Sequence, residues 1–344
     1  MTRKTSGGLG TLGIDVATAP MEAKSAAELP TGTGWQYEPK WDGFRCLAFR
    51  AGDEVEIRAK SGKSLSRFFP DVLEVLRKVA AKTFVLDGEI IIPVGEGLSF
   101  EALQMRLHPA ASRIQRLARE TPAVLMAFDC LLERRGKPLV ALPFEERRAT
   151  LERVVESPPD RLALTPFTQE LRTAKAWLTA GAGGIDGVVA KRLDLPYRPG
   201  ERAMLKIKNI RTADCVVGGF RYETGGKRVG SLLLGLYDAA GDLHHVGFTS
   251  ALADSDKSAL TKRLEKLVAP PGFTKDVPGA PSRWSTARST AWEPLKPALV
   301  VEVTYDHVTG NRFRHGTGLL RWRPDKKPQQ CTLDQIAAPV ARTV

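Results

Sequence analysis

Lys40-Trp41-Asp42-Gly43-Phe44-Arg45 is the stretch from which this chain can be read. It sets a lysine beside a carboxylate, a glycine and an arginine, an arrangement that can bring an amine to a nucleotide phosphate. Alone, it also describes a surface lysine ahead of an Asp-Gly hairpin turn flanked by strand residues. The two readings place different demands on the rest of the sequence. A nucleophilic lysine must be a neutral amine, yet its reference pKa is about 10.4. Burial, neighbouring cations or a metal ion would favour the neutral form, and the negative charge of a nucleotide would need basic residues to balance it.

Both kinds of partner are present. Val85-Leu86-Asp87-Gly88-Glu89-Ile90-Ile91-Ile92 reads as a strand in which Asp87 and Glu89 share a face by the two-residue period. A solvated hairpin edge is the bland alternative, but apolar residues continue past the acids. Ile185-Asp186-Gly187-Val188-Val189-Ala190-Lys191 is again strand-like, with an acid at its start. In Leu205-Lys206-Ile207-Lys208, alternation sends both lysines one way, as a phosphate site or an amphipathic edge strand would.

With Ala127-Phe128-Asp129-Cys130 and Arg321-Trp322-Arg323-Pro324-Asp325-Lys326, these runs resemble, in order, the motifs of the covalent nucleotidyltransferases. Within that superfamily the chain looks like an ATP-dependent DNA ligase of the small two-domain bacterial type called ligase C, from about Pro20 to Lys327. The resemblance implies an α+β fold: an ATP-grasp-like adenylation domain with mixed antiparallel sheets, then an OB-fold β-barrel. It implies that Lys40 takes AMP as a phosphoramidate within a catalytic motif that includes Asp42 and Arg45. Glu38 would meet adenine through its backbone, Arg45 and Glu89 would hold the ribose, and Phe128 would stack on the base. Lys206 and Lys208 would grip the α-phosphate. Asp186 and Glu89 would serve Mg²⁺ or Mn²⁺, and Arg323, Asp325 and Lys326 would orient the leaving pyrophosphate. Asp87 receives no firm role.

Two departures stand out. Asp186 replaces the usual glutamate of the metal motif and is one methylene shorter. Ala59-Lys60-Ser61-Gly62-Lys63 stands where many ligases carry an Arg-Asn-Gly segment, so Lys60 and Lys63 keep charge for DNA without the arginine fork. Arg312 and Arg314 are the other expected DNA contacts. The implied activity is sealing of nicked duplex DNA, with ATP as donor, in repair and recombination. An RNA ligase, another covalent nucleotidyltransferase or a non-catalytic DNA-binding protein are the alternatives.

Composition suits a polyanionic partner. The 344 residues hold 51 Lys plus Arg against 39 Asp plus Glu, a formal net charge of +12. The four cysteines, Cys46, Cys130, Cys215 and Cys331, form no C-x-x-C pair, which suggests neither a disulfide framework nor the zinc module of an NAD-using ligase. A reduced, cytoplasmic, nucleoid-associated monomer without membrane attachment is expected. His108, His244, His245, His307 and His315 show no ligand spacing, and neither a P-loop nor a dinucleotide fingerprint is present. The expected organisation is a flexible lead-in over 1–19, the adenylation domain over 20–209 and a five-stranded barrel over 210–344. Helices are expected at Phe69 to Val79, Phe144 to Val155 and Asp256 to Val268, with a long loop from Ala269 to Pro297.

Overall fold

Residues 8–95, 97–180, 185–279 and 291–337 are described in the structure, a computed structural model. The chain divides into two compact units, Met1–Asn209 and Ile210–Val344. In the first unit, Glu22–Ser25, Arg202–Lys208, Ile185–Arg192 and Trp35–Trp41 form a four-stranded sheet in that order. A second sheet runs Glu54–Ala59, Phe44–Ala51, Thr83–Ile91, Val124–Leu132, Leu162–Leu164. Each sheet has one parallel pair at an edge and is otherwise antiparallel.

Asp42 and Gly43 therefore do not turn a hairpin. They carry the chain from the end of Trp35–Trp41 in one sheet to the start of Phe44–Ala51 in the other, so Lys40 and Arg45 stand on different sheets. Only a glycine fits at position 43, because a Cβ there would lie 2.3 Å from the Ile90 carbonyl oxygen.

The second sheet is buried on both faces, and the two-residue period separates its contacts. Cys46 and Ala48 join Leu86, Ile90, Val72 and Leu76 in one core cluster, whereas Leu47, Phe49 and Ala51 join Val85 and Leu131 in another. The second cluster also takes Leu12 and Ile14, only 3% and 8% exposed, so residues expected to form a loose lead-in are packed against the sheet. Isolated apolar residues without periodicity gave no sign of this docking.

The expected first helix appears as Pro70–Lys78, with Pro at its first position, Asp71 in its first turn and Arg77 and Lys78 in its last. Its C-terminal carbonyls are not left open: the Arg50 guanidinium donates to Leu76 O and Val79 O, both at 2.7 Å. The second expected helix is Phe144–Val154, which carries Arg147 to a buried bidentate pair with Asp129, both bonds 2.9 Å.

In the second unit the sheet order is Leu243–Thr249, Val229–Tyr237, Arg211–Tyr222, Val300–Tyr305, Gly318–Trp322, with the short Glu293–Pro294 on Arg211–Tyr222. Its two edges meet where Thr249 bridges Thr317, and the Thr249 hydroxyl donates to Thr317 O at 2.8 Å. Among the described residues this is an isolated bridge and no continuous ladder joins the two edges. The third expected helix is shorter, a 3-10 turn over Asp254–Asp256 running into Lys257–Glu265. Residues 280–290 of the expected long loop and the Gly181 to Gly184 run lie outside the described residues. All four cysteines are free and buried.

Candidate nucleotide-binding site

Lys40 sits near the end of its strand, where Gly187 is its register partner and the pairing slips between Ile185 and Gly187. Gly187 has φ +155°, and a Cβ there would fall 2.1 Å from Ile207 O. This irregularity sets Asp186 beside the lysine, with Lys40 Nζ 3.0 Å from Asp186 Oδ2. One carboxylate oxygen of Asp42 lies within 4.8 Å of one of Asp186.

Across the second sheet Arg45 is the register partner of Glu89, while its guanidinium grips Asp87 through Nε at 2.6 Å and Nη2 at 2.7 Å. Phe128 owes its orientation to a bulge: Asp87 pairs with Asp129 and Gly88 with Ala127, leaving Phe128 as the extra residue. Its ring is within 4.4 Å of both the Arg45 guanidinium carbon and Lys191 Nζ, measured to the centroid. Lys191 is itself buried against Glu38, Nζ to Oε2 2.6 Å, and Gln36 donates to the other Glu38 oxygen at 2.9 Å.

These groups surround a cavity of about 290 Å³ lined by Glu38, Lys40, Arg45, Glu89, Phe128, Lys191 and Lys206, together with Lys60, Met21 and Met204. It mixes polar and apolar surface and is near the lower end of small-molecule sites. Met204 and Lys206 point into it, while Leu205 and Ile207 pack away in a separate cluster, as alternation requires.

Electrostatics mark the same cavity. Burial pushes the Glu89 carboxyl up to about 7, against the pull of Arg45 and Lys40. Burial would lower Arg45, but Asp87 more than offsets it and holds the guanidinium firmly charged. Burial also lowers Lys191 despite Glu38. Lys206 is lowered by partial burial and then by the crowd of Lys208, Lys40, Lys60 and Arg202.

Of the expected site residues, Glu38, Lys40, Arg45, Glu89, Phe128 and Lys206 come together, with Asp186 against Lys40 and Lys208 beside Lys206. Lys60 lines this cavity as well and pairs with Glu22 at 2.9 Å. It also borders, with Lys63, a more apolar cleft of about 740 Å³ lined by Phe44, Leu65, Phe68 and Leu107. In the second unit, Asp214 receives Arg323 at 2.9 Å and Lys326 at 2.6 Å, and Arg323 also pairs with Asp325 at 2.8 Å. Arg312 donates to His245 Nδ1 at 3.2 Å, and Arg314 follows that short strand. Sequence reasoning missed Lys191 and Asp214 and left Asp87 without a role. Lys191 closes a run already singled out, so its parity with Val189 on the cavity wall was the available signal.

The chain is similar to known proteins over most of its length. Residues 19–208 match the family described as ATP dependent DNA ligase domain, and residues 225–326 match the ATP dependent DNA ligase C terminal region. DNA ligase C2 of Mycolicibacterium smegmatis is 43% identical over 337 residues, covering 93% of this chain and 94% of its own length. DNA ligase C of Mycobacterium tuberculosis is 42% identical over 340 residues, covering 94% of each. A solved structure from a study of Lig E DNA ligases aligns with a TM-score of 0.55 over 88% of this chain and 99% of its own, at 17% identity, which shows likeness of fold.

Proposed function

The chain belongs to the ATP-dependent DNA ligases, and from that premise we propose that Lys40 is the residue that carries AMP between ATP and a nicked duplex in DNA repair. The observation that carries this reading is the position of Lys40 Nζ on the wall of a cavity shared with Arg45, Glu89, Phe128 and Lys206.

In the first step Lys40 Nζ attacks the α-phosphorus of ATP, a nitrogen–phosphorus bond forms, and pyrophosphate leaves. In the second, a 5′-phosphate oxygen at the nick takes the AMP and the lysine is released. In the third, the 3′-hydroxyl displaces AMP and seals the strand. Each is a displacement at phosphorus, so positioning and charge stabilisation supply most of the rate. Phe128 offers a face for adenine, Arg45 and Glu89 reach the ribose, and Lys206 with Lys208 neutralises the α-phosphate. Arg323, Asp325 and Lys326 are assigned to the leaving pyrophosphate. Lys60, Lys63, Arg312 and Arg314 are assigned to DNA phosphates, where cations position the duplex without reading its sequence.

The hard oxygen donors of Asp42 and Asp186 suit Mg²⁺ or Mn²⁺, with Glu89 a further carboxylate on the cavity wall. A cation bound there would offset phosphate charge. Breaking the 3.0 Å Lys40–Asp186 pair is the motion this chain must make to free the amine. Among the described residues no helix is long and apolar enough to cross a membrane. A monomer is proposed.

The test is mass spectrometry of protein stripped of bound AMP and incubated with Mg²⁺ and ATP, GTP or NAD, beside Lys40→Ala. An AMP adduct from ATP, absent in the variant, is expected. An adduct that survives in Lys40→Ala would move the nucleophile elsewhere. Sealing of nicked DNA against nicked RNA then separates the DNA ligase from an RNA ligase.

A further inference from the structure

Arg45 is held by more than its carboxylate. Asp87 Oδ1 takes Arg45 Nε at 2.6 Å, and Asp87 Oδ2 takes both Arg45 Nη2 at 2.7 Å and the Tyr197 hydroxyl at 2.6 Å. The same hydroxyl accepts from Met21 N at 2.8 Å, and Arg45 Nη2 donates to Met21 O at 3.2 Å. The four groups form a closed ring: Met21 N to Tyr197, Tyr197 to Asp87, Asp87 to Arg45, and Arg45 back to Met21 O. Asp87 is 0% and Tyr197 3% exposed, and neither lines the cavity, whereas Arg45 and Met21 both do. Among the described residues no acceptor meets Arg45 Nη1, so the fork is oriented by its other nitrogens and keeps a donor for a ligand.

We propose that the Tyr197 hydroxyl is a positioning residue for nucleotide-sugar recognition, fixing Asp87 so that Arg45 presents its free nitrogen to the ribose while Met21 holds the cavity lip. The proposal rests on the reading of Arg45 as a ribose contact. Its physical basis is satisfaction of buried groups. Asp87 Oδ2 carries two donors, and removing one leaves a buried carboxylate with a single partner on that oxygen and Met21 N with no acceptor. Burial beside Asp87 keeps the phenol protonated, so it remains a donor over the working pH range. Tyr197 is further braced by the Arg147 guanidinium, 5.5 Å from its ring centroid.

The test compares self-adenylation by ATP and by 2′-deoxy-ATP in wild type, Tyr197→Phe and Arg45→Lys, as kcat/KM from AMP-adduct formation. A general structural defect would slow both donors alike. The proposal expects Tyr197→Phe to lose about ten-fold or more with ATP, chiefly through KM, and much less with 2′-deoxy-ATP, so that the preference for ATP collapses as it does in Arg45→Lys. If Arg45→Lys loses the preference and Tyr197→Phe keeps it, the positioning role is wrong and the reading of Arg45 stands. If neither variant changes the preference, the reading of Arg45 fails and the proposal falls with it. Should Tyr197→Phe not fold, Asp87→Asn, which breaks the same ring at its centre, carries the comparison with the same expected and overturning results.

Discussion

Replacing Glu89 by glutamine should stabilise the nucleotide-free protein, and the gain should grow with pH. Glu89 is raised from 4.5 to about 7, mainly by burial. Between those values the folded state keeps a proton that the unfolded chain has released, so stability falls as pH rises through this window. Above the folded value, the ionised carboxylate costs about 3 kcal/mol, taking about 1.4 kcal/mol for each tenfold change in proton affinity. At pH 5 the cost is about 1 kcal/mol, because that pH lies only just above the ordinary value of 4.5 and the folded carboxyl still keeps its proton. Glutamine keeps the shape and carries no charge, so its advantage at pH 8 should exceed that at pH 5 by about 2 kcal/mol. In a unit of about 200 residues this is roughly 4–8 °C in Tm. Thermal melts of AMP-free wild type and Glu89→Gln at both pH values measure it. A gain that is flat with pH, or larger at pH 5, would refute the claim that a strained carboxylate lines this cavity. Self-adenylation should fall in the same variant, since the destabilising group is assigned to the ribose.

Other parts of the molecule make separate predictions. Asp129→Asn removes one partner of a buried pair whose arginine, Arg147, is 0% exposed, and should cost about 3–5 kcal/mol in urea unfolding; a loss below about 1 kcal/mol would mean that Leu142 O and Leu195 O alone satisfy the guanidinium. His244 lies between Asp238 and Asp276, at 2.9 and 2.8 Å, and although burial pulls the imidazole down, these partners raise it above its ordinary value. Its contribution is full below pH 6.5 and lost as pH rises past the raised value, so His244→Gln should destabilise at pH 6 and little at pH 9; equal losses at both would show packing rather than charge. Lys326→Ala should slow self-adenylation by about 10²-fold or more while sparing the sealing of pre-adenylated nicks, and equal losses in both assays would remove Lys326 from the pyrophosphate step.

The residues legible in the sequence were those whose chemistry names them. A lysine before Asp-Gly, a glutamate in an apolar strand and two lysines in alternation could be placed because strand parity decides which way a side chain points. Phe128 was identifiable by type, but its orientation depends on a bulge created by the pairing of Asp87 with Asp129 and Gly88 with Ala127. Such a one-residue slip leaves no mark on the strand that carries it. Tyr197 and Asp87 are 110 residues apart, so neither run alone reveals the bond between them. The Asp42-Gly43 step looks like a hairpin locally, and only the sheet order shows that it crosses between two sheets.

Much positive charge can be gathered on this cavity before any nucleotide arrives because most of it is already paired. Lys40, Arg45, Lys60 and Lys191 each stand against a carboxylate, Asp186, Asp87, Glu22 and Glu38 respectively, at 3.0 Å or less. Paired in this way, the four cations do not repel one another at full strength across the cavity. Lys206 differs, because among the described residues it makes no ion pair and the charges acting on it are Lys208, Lys40, Lys60 and Arg202. Within the strand assigned to the α-phosphate, Lys206 is thus the cation on the cavity wall that no carboxylate offsets among the described residues. An anion placed there is stabilised by several cations at once, whereas elsewhere on the wall it must compete with a resident carboxylate. On the proposed assignment the acids act as a template in charge: they hold Lys40, Arg45, Lys60 and Lys191 in position and leave the strongest attraction for phosphate beside Lys206.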